Sequence, residues 1–191
     1  MNYSKVIDDL SHIMGQFLSS NGPLFENVYS QISKQLKAGH KILVFGNGGS
    51  ASQAQHFAAE LVNKFLRTRP PIKAIALTTD TSVLTSIAND ASYDLVFSRQ
   101  IEALGEPGDI ALGLSTSGNS MNVILAIESA RKQGLFTVAL TGNGGGKLAS
   151  LPDILLDVPS KSTPRIQEAH LILLHLLAEK LEEQHPVRSK E

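Results

Sequence analysis

Residues 41–60 read KILVFGNGGSASQAQHFAAE, and this stretch decides the fold. An apolar run from Ile42 to Phe45 ends in a glycine turn, and from Ser50 onward the pattern is helical. A strand that feeds a helix through a tight turn is the repeating unit of a parallel sheet. The unit recurs along the chain, with further strands predicted at Ile72 to Leu77, Ile110 to Leu114, Thr137 to Leu140 and Ile154 to Val158. The helices between them are predicted at Ser50 to Leu66, at Ser82 to Ala88 with a segment running on to Leu104, and at Ser120 to Gln133, with a short turn near Lys147. A long helix from Arg165 to Glu183 follows Pro164, which suits a helix start. The expected fold class is therefore α/β, a five-stranded parallel sheet flanked by helices.

Before the first strand, Val6, Ile7, Leu10, Ile13, Met14, Phe17 and Leu18 recur at helical steps. The Asn21-Gly22-Pro23 sequence reads as a break, and a second helix is predicted from Leu24 to Leu36 with Gly39 as its stop. The chain is read as a single domain over residues 1–191. Residues 1–38 form an N-terminal helix pair for packing or oligomerisation, 39–184 the α/β core, and 185–191 a polar tail expected to fray.

Composition excludes several function classes. The chain has 191 residues, 42% hydrophobic and 18% charged, which disfavours disorder and predicts a globular protein. Its 17 Lys and Arg against 18 Asp and Glu give a net charge of -1, without the basic excess expected of a nucleic-acid binder. The absence of Cys removes thiolate metal sites and Cys nucleophiles and is compatible with a reducing cytosol. No signal peptide is read at the N-terminus, and no apolar run reaches membrane-spanning length. A cytoplasmic protein with no membrane partner is the expectation.

In an open α/β sheet, ligands bind beyond the carboxyl ends of the strands. Three loops there stand out. In FGNGGSASQAQ, Asn47, Gly48 and Gly49 lead into a helix whose first amides suit an anion or sugar oxygens. The loop is neither a dinucleotide fingerprint nor a P-loop. In LGLSTSGNSMNV, Ser115, Thr116, Ser117 and Ser120 crowd around Gly118, enough hydroxyls to surround a phosphate at a helix start without basic residues. The third loop, TGNGGGKLA with Gly142 to Gly146, is read as a flexible turn supporting the sheet edge.

The helix after the first loop carries His56 and Glu60 one turn apart on one face, a spacing that suits a shared metal or a proton-transfer pair. Further ligands could come from the last helix, where Gln167, Glu168, His170 and His175 compete. At 100° per residue, Glu168 and His175 project nearly together and Gln167 lies about 80° from His175, so the helical wheel does not choose among them.

Taken together, GNGGSASQAQHFAAEL, LTTDTSVLTSIAND, FSRQIEALGEPGDIALGLSTSGNS and VPSKSTPRIQEAH resemble the successive blocks of the phosphoheptose isomerase family of sugar-isomerase (SIS) domain proteins. The resemblance runs in order from about Gly39 to His175. It implies a flavodoxin-like three-layer sandwich that assembles as a homotetramer. It also implies conversion of D-sedoheptulose 7-phosphate to D-glycero-D-manno-heptose 7-phosphate through an enediol, for ADP-heptose and bacterial surface glycans such as lipopolysaccharide. Carried onto this chain, it implies one Zn²⁺ per subunit on His56, Glu60, Gln167 and His175, with Glu60 and His175 also catalytic. Substrate contacts would be Asn47, Gly48, Gly49, Glu60, Asn89, Asp90, Ser115, Thr116, Ser117, Ser120 and Gln167. One departure is Ser160-Lys161-Ser162-Thr163-Pro164, where similar proteins often carry an Asp. The alternative is a non-catalytic adaptor of the same fold that binds the bacterial replication initiator, which lacks the carboxylate and histidine found here at Glu60 and His175.

Overall fold

The computed structural model describes residues 3–184, so the tail 185–191 expected to fray lies outside the described residues. Five strands form one sheet: β1 (Ile42–Gly46), β2 (Ala74–Ala76), β3 (Ile110–Ser115), β4 (Phe136–Gly142) and β5 (Ile154–Val158). All neighbouring pairs are parallel, in the order β2-β1-β3-β4-β5. The chain therefore leaves β1 toward one edge and returns to β3 on its other side, which makes the carboxyl ends of β1 and β3 the topological switch point.

Both faces of the sheet are covered, so β1 and β3 are buried along their whole length and read as continuous apolar runs. Alternate residues feed two cores. Ile42, Val44, Ile110 and Leu112 pack with α1 (Tyr3–Lys37), α2 (Gly49–Val62) and α6 (Thr163–Glu183). Leu43, Phe45 and Ala111 face the other way, toward α4 (Ser98–Leu104) and α5 (Met121–Lys132), with α3 (Thr81–Asp90) packed at the margin.

The N-terminal helix pair is a correction: residues 3–37 form one helix with Pro23 inside it. Proline removes one N–H and crowds the preceding turn, which disfavours but does not forbid continuation. The apolar stripe decides the outcome. Met14 and Ile32, both buried, are 18 residues apart, which is five full turns, so the buried face passes through Pro23 without a phase change.

Two smaller differences have local causes. Strand β2 is only Ala74–Ala76, because the Ile72 amide donates instead to the Leu61 carbonyl at the end of α2. Helix α2 stops at Val62 rather than Leu66, because the amides of Phe65, Leu66 and Arg67 donate to the Glu182 carboxylate of α6. The α6 helix begins at Thr163 with Pro164 in its first turn, where a missing N–H costs nothing.

Candidate active site

The glycine loop follows β1. Gly48 caps α2 with φ 54°, a left-handed value that glycine adopts without strain, and no side chain caps the helix there. Beside it, Asn47 is held by a reciprocal amide pair. Its Nδ2 donates to Asn122 Oδ1 at 2.8 Å, and Asn122 Nδ2 donates back to Asn47 Oδ1 at 2.9 Å. The Tyr93 hydroxyl also donates to Asn47 Oδ1, at 3.2 Å. Asn122 sits in the first turn of α5, so this pair ties the glycine loop to the helix behind the serine loop across the switch point.

The serine loop follows β3. Ser115 is buried, and its hydroxyl donates to Ser120 Oγ at 3.1 Å. Ser120 is the N-cap of α5 but makes no side-chain cap bond, which leaves the helix start without a side-chain cap. Thr116 is half-buried and Ser117 exposed, with Ser117 Oγ accepting from the Asn119 amide at 3.2 Å.

The third loop does more than support the sheet edge. Gly118 has φ 64°, and a Cβ there would come within 1.9 Å of the Gly145 carbonyl oxygen. A Cβ on Gly146 would meet the Ser117 carbonyl oxygen at 2.5 Å. The Leu148 amide donates to Gly118 O, and the Lys147 amide to Asn119 Oδ1. Residues 142–148 therefore form a backbone wall against which the serine loop is pressed, and the glycines permit that approach.

The second half of the site lies between α2 and α6. His56 Nε2 is 2.9 Å from Glu60 Oε1, His175 Nε2 is 3.4 Å from the same oxygen, and the two Nε2 atoms are 3.0 Å apart. These three residues offer ligand atoms that all lie within 4.8 Å of one another. Glu60 Oε2 is buried and has no hydrogen-bond partner. Two imidazole nitrogens facing each other and a carboxylate, beside an orphaned carboxylate oxygen, make a donor set that fits a borderline cation such as Zn²⁺.

The four candidate residues of α6 go to different places. His175 joins the cluster. His170 is fully buried, with Nε2 3.0 Å from the Thr141 carbonyl oxygen. Burial lowers the His170 imidazole to about 4, against the smaller opposite effect of that backbone bond. Glu168 pairs with Arg165. Gln167 turns its side-chain amide against Gly49, where a Cβ would come 2.7 Å from Nε2, and its backbone carbonyl oxygen accepts from Gln53 Nε2. Asn89 and Asp90 are exposed at the end of α3, joined to each other at 2.8 Å, shortly before the Tyr93 that touches Asn47. Sequence reasoning missed Asn122 and Tyr93. The signal for Asn122 was an amide at a position otherwise buried in the first turn of α5.

A family model described as SIS domain matches residues 6–142. A phosphoheptose isomerase of Thermodesulfovibrio yellowstonii is 51% identical over 179 residues, which cover 94% of this chain and 89% of that protein. The chain belongs to the phosphoheptose isomerase family of SIS-domain proteins. The structure of phosphoheptose isomerase from Neisseria gonorrhoeae matches this fold with a TM-score of 0.88 at 40% identity, covering 94% of this chain and 96% of that one. The corresponding structure from Francisella tularensis gives 0.86 at 34% identity, covering 96% and 100%. As in this family, the chain carries the five-stranded parallel sheet with a long N-terminal helix and a C-terminal helix, and it is an isomerase.

Proposed function

We propose that this chain interconverts D-sedoheptulose 7-phosphate and D-glycero-D-manno-heptose 7-phosphate, with the phosphate at the serine loop and the reacting carbons at the α2–α6 cluster. The observation that carries this reading is the convergence of His56, Glu60 and His175 from two helices. The start of α5, left without a side-chain cap behind the serine loop, supports the phosphate position. The relatives' name supports the heptose substrate over the adaptor alternative.

In the proposed reaction, Ser115, Thr116, Ser117 and Ser120 hold the phosphate with neutral donors and the uncapped start of α5. Asn47, oriented by Asn122 and Tyr93, and the backbone at Gly48 and Gly49 hold the sugar hydroxyls, with Gln167, Asn89 and Asp90 completing the contacts. Remote binding of the phosphate positions C1 and C2. Glu60 takes the proton from C1 as the C2 carbonyl oxygen gains one, which gives the enediol. His175 then delivers a proton to C2 while the O1 hydroxyl gives its proton up and C1 becomes the aldehyde. The proton held on Glu60 replaces the one lost from His175, so substrate and enzyme show no net change in protons. His56, Glu60, Gln167 and His175 would hold one Zn²⁺, which when bound polarises the sugar oxygens and stabilises negative charge in the enediol.

The cluster is open in the single chain, with the side chains of His56 and His175 51% and 36% exposed. Tyr3, Ile7 and Leu18 are exposed along α1 within about 60° of one another on the helical wheel. Both features support a homotetramer that covers these surfaces. No helix among the described residues is long and apolar enough to cross a membrane, and a cytoplasmic place in heptose supply for surface glycans is part of the same proposal.

The test is a coupled assay with sedoheptulose 7-phosphate on zinc-loaded protein, beside His175→Gln and a chelator-stripped sample. Turnover in the loaded protein and its loss in both controls is expected. No turnover from a zinc-loaded, folded protein would overturn the assignment.

A further inference from the structure

His175 is held by more than its own helix. The Phe65 ring stacks on its imidazole, with centroids 5.4 Å apart and planes 29° apart. Phe65 lies just beyond α2, in a segment gathered by one carboxylate. Glu182 accepts from the amides of Phe65 at 3.0 Å, Leu66 at 2.7 Å and Arg67 at 2.9 Å.

That carboxylate also has an ion partner. Arg69 Nε is 3.3 Å from Glu182 Oε1, and both residues are buried, at 5% and 2% exposure. The Arg69 guanidinium donates to the carbonyl oxygens of Leu61 and Glu60, each at 2.7 Å, and of Pro70 at 3.0 Å. Burial alone would push the Glu182 carboxyl up, but the three amides and Arg69 outweigh it and hold it below the usual range. The charge is therefore retained in a place where an unpaired carboxylate would be very costly.

The arrangement reaches both helices of the cluster. Glu182 lies seven residues beyond His175 on α6, within about 20° of the same azimuth. From there it is linked through Arg69 to the backbone of Glu60 and through Phe65 to the ring of His175. The buried pair therefore ties the end of α2 to α6 and, through Phe65, to the His175 ring.

We propose that Phe65, Arg69 and Glu182 are positioning residues for the isomerisation, acting by fixing His175 against Glu60. The inference rests on the assignment of Glu60 and His175 to the reacting carbons. Small displacements of a catalytic group cost rate more than affinity, with about 1 Å sufficient for a 10²-fold loss.

The experiment compares Phe65→Leu, Phe65→Tyr and Glu182→Gln with His175→Gln and the unaltered chain. Phe65→Leu keeps apolar volume but removes the flat face. We expect its kcat to fall about tenfold with KM within about twofold, and the pH profile of kcat to move. Phe65→Tyr restores the stack and the rate. Glu182→Gln, assayed well below its own melting temperature, follows Phe65→Leu. A second readout needs no turnover: in metal-free protein, the ¹⁵N and ¹H signals of the His175 ring shift in Phe65→Leu and return in Phe65→Tyr. An inactive His175→Gln beside a Phe65→Leu with unaltered kcat and unmoved ring signals would overturn the proposal alone. So would a rise confined to KM. An active His175→Gln would overturn the site assignment beneath it.

Discussion

The serine loop and the histidine cluster serve one proposed reaction but are assembled differently. The loop is local: Ser115 and Ser120 are five residues apart, and their hydroxyls meet because β3 turns directly into α5. The cluster is distant: His56 and His175 are 119 residues apart and meet only because α2 and α6 pack on the same face of the sheet. A local anion site can tolerate the loss of one donor among several. A site assembled from three side chains on two helices has no spare member, so its removal should cost chemistry rather than binding.

The largest expected effect tests the cluster. Glu60→Gln keeps the shape of the side chain but removes the base, and kcat should fall by about 10³-fold, near the middle of the range for general base catalysis. Turnover near wild type with zinc content unchanged would show that the cluster does not supply the base.

An intermediate effect tests whether α6 is anchored independently of the cluster. His170 is buried neutral against Thr141, with a folded value of about 4 against an ordinary 6.5. The unfolded chain therefore binds more protons between these values, and stability rises with pH. The contribution is fully present above 6.5 and is lost as pH falls toward 4, by about 2 kcal/mol between pH 7 and pH 5. Urea melts at the two pH values check it, with His170→Gln flattening the dependence. An equal dependence in the variant would place the acid sensitivity elsewhere.

The smallest effect tests the loop. Ser115→Ala removes one hydroxyl of several and should lower kcat/KM about tenfold, mostly through KM. A loss as large as that of Glu60→Gln, with KM unchanged, would erase the distinction between the two regions.

Much of this was legible in the chain itself. Strand β5 is predicted and observed as Ile154 to Val158, and the strand-to-helix turns at Gly48 and Ser120 fall where expected, because these depend on short-range periodicity and backbone freedom. The errors came where distant contacts overrule local signals. Pro23 reads as a break, yet burial of Phe17 and Phe25 on one stripe carries the helix through it. Leu66 reads as helical, yet its amide is taken by Glu182 from the far end of the chain.

The sequence by itself determined the alternation of strands and helices, the glycine and serine loops after β1 and β3, and the pairing of His56 with Glu60 one turn apart. The alternation, the positions of the loops and the His56–Glu60 spacing follow from bond geometry and the period of the helix. Only the tertiary structure decided which polar residue of α6 would face them. The helical wheel sets the angles among Gln167, Glu168, His170 and His175, but not the rotation of the whole helix about its axis. Packing of Ile166, Leu173, Leu174 and Leu177 into the core set that rotation, turning His170 inward to Thr141 and His175 toward Glu60.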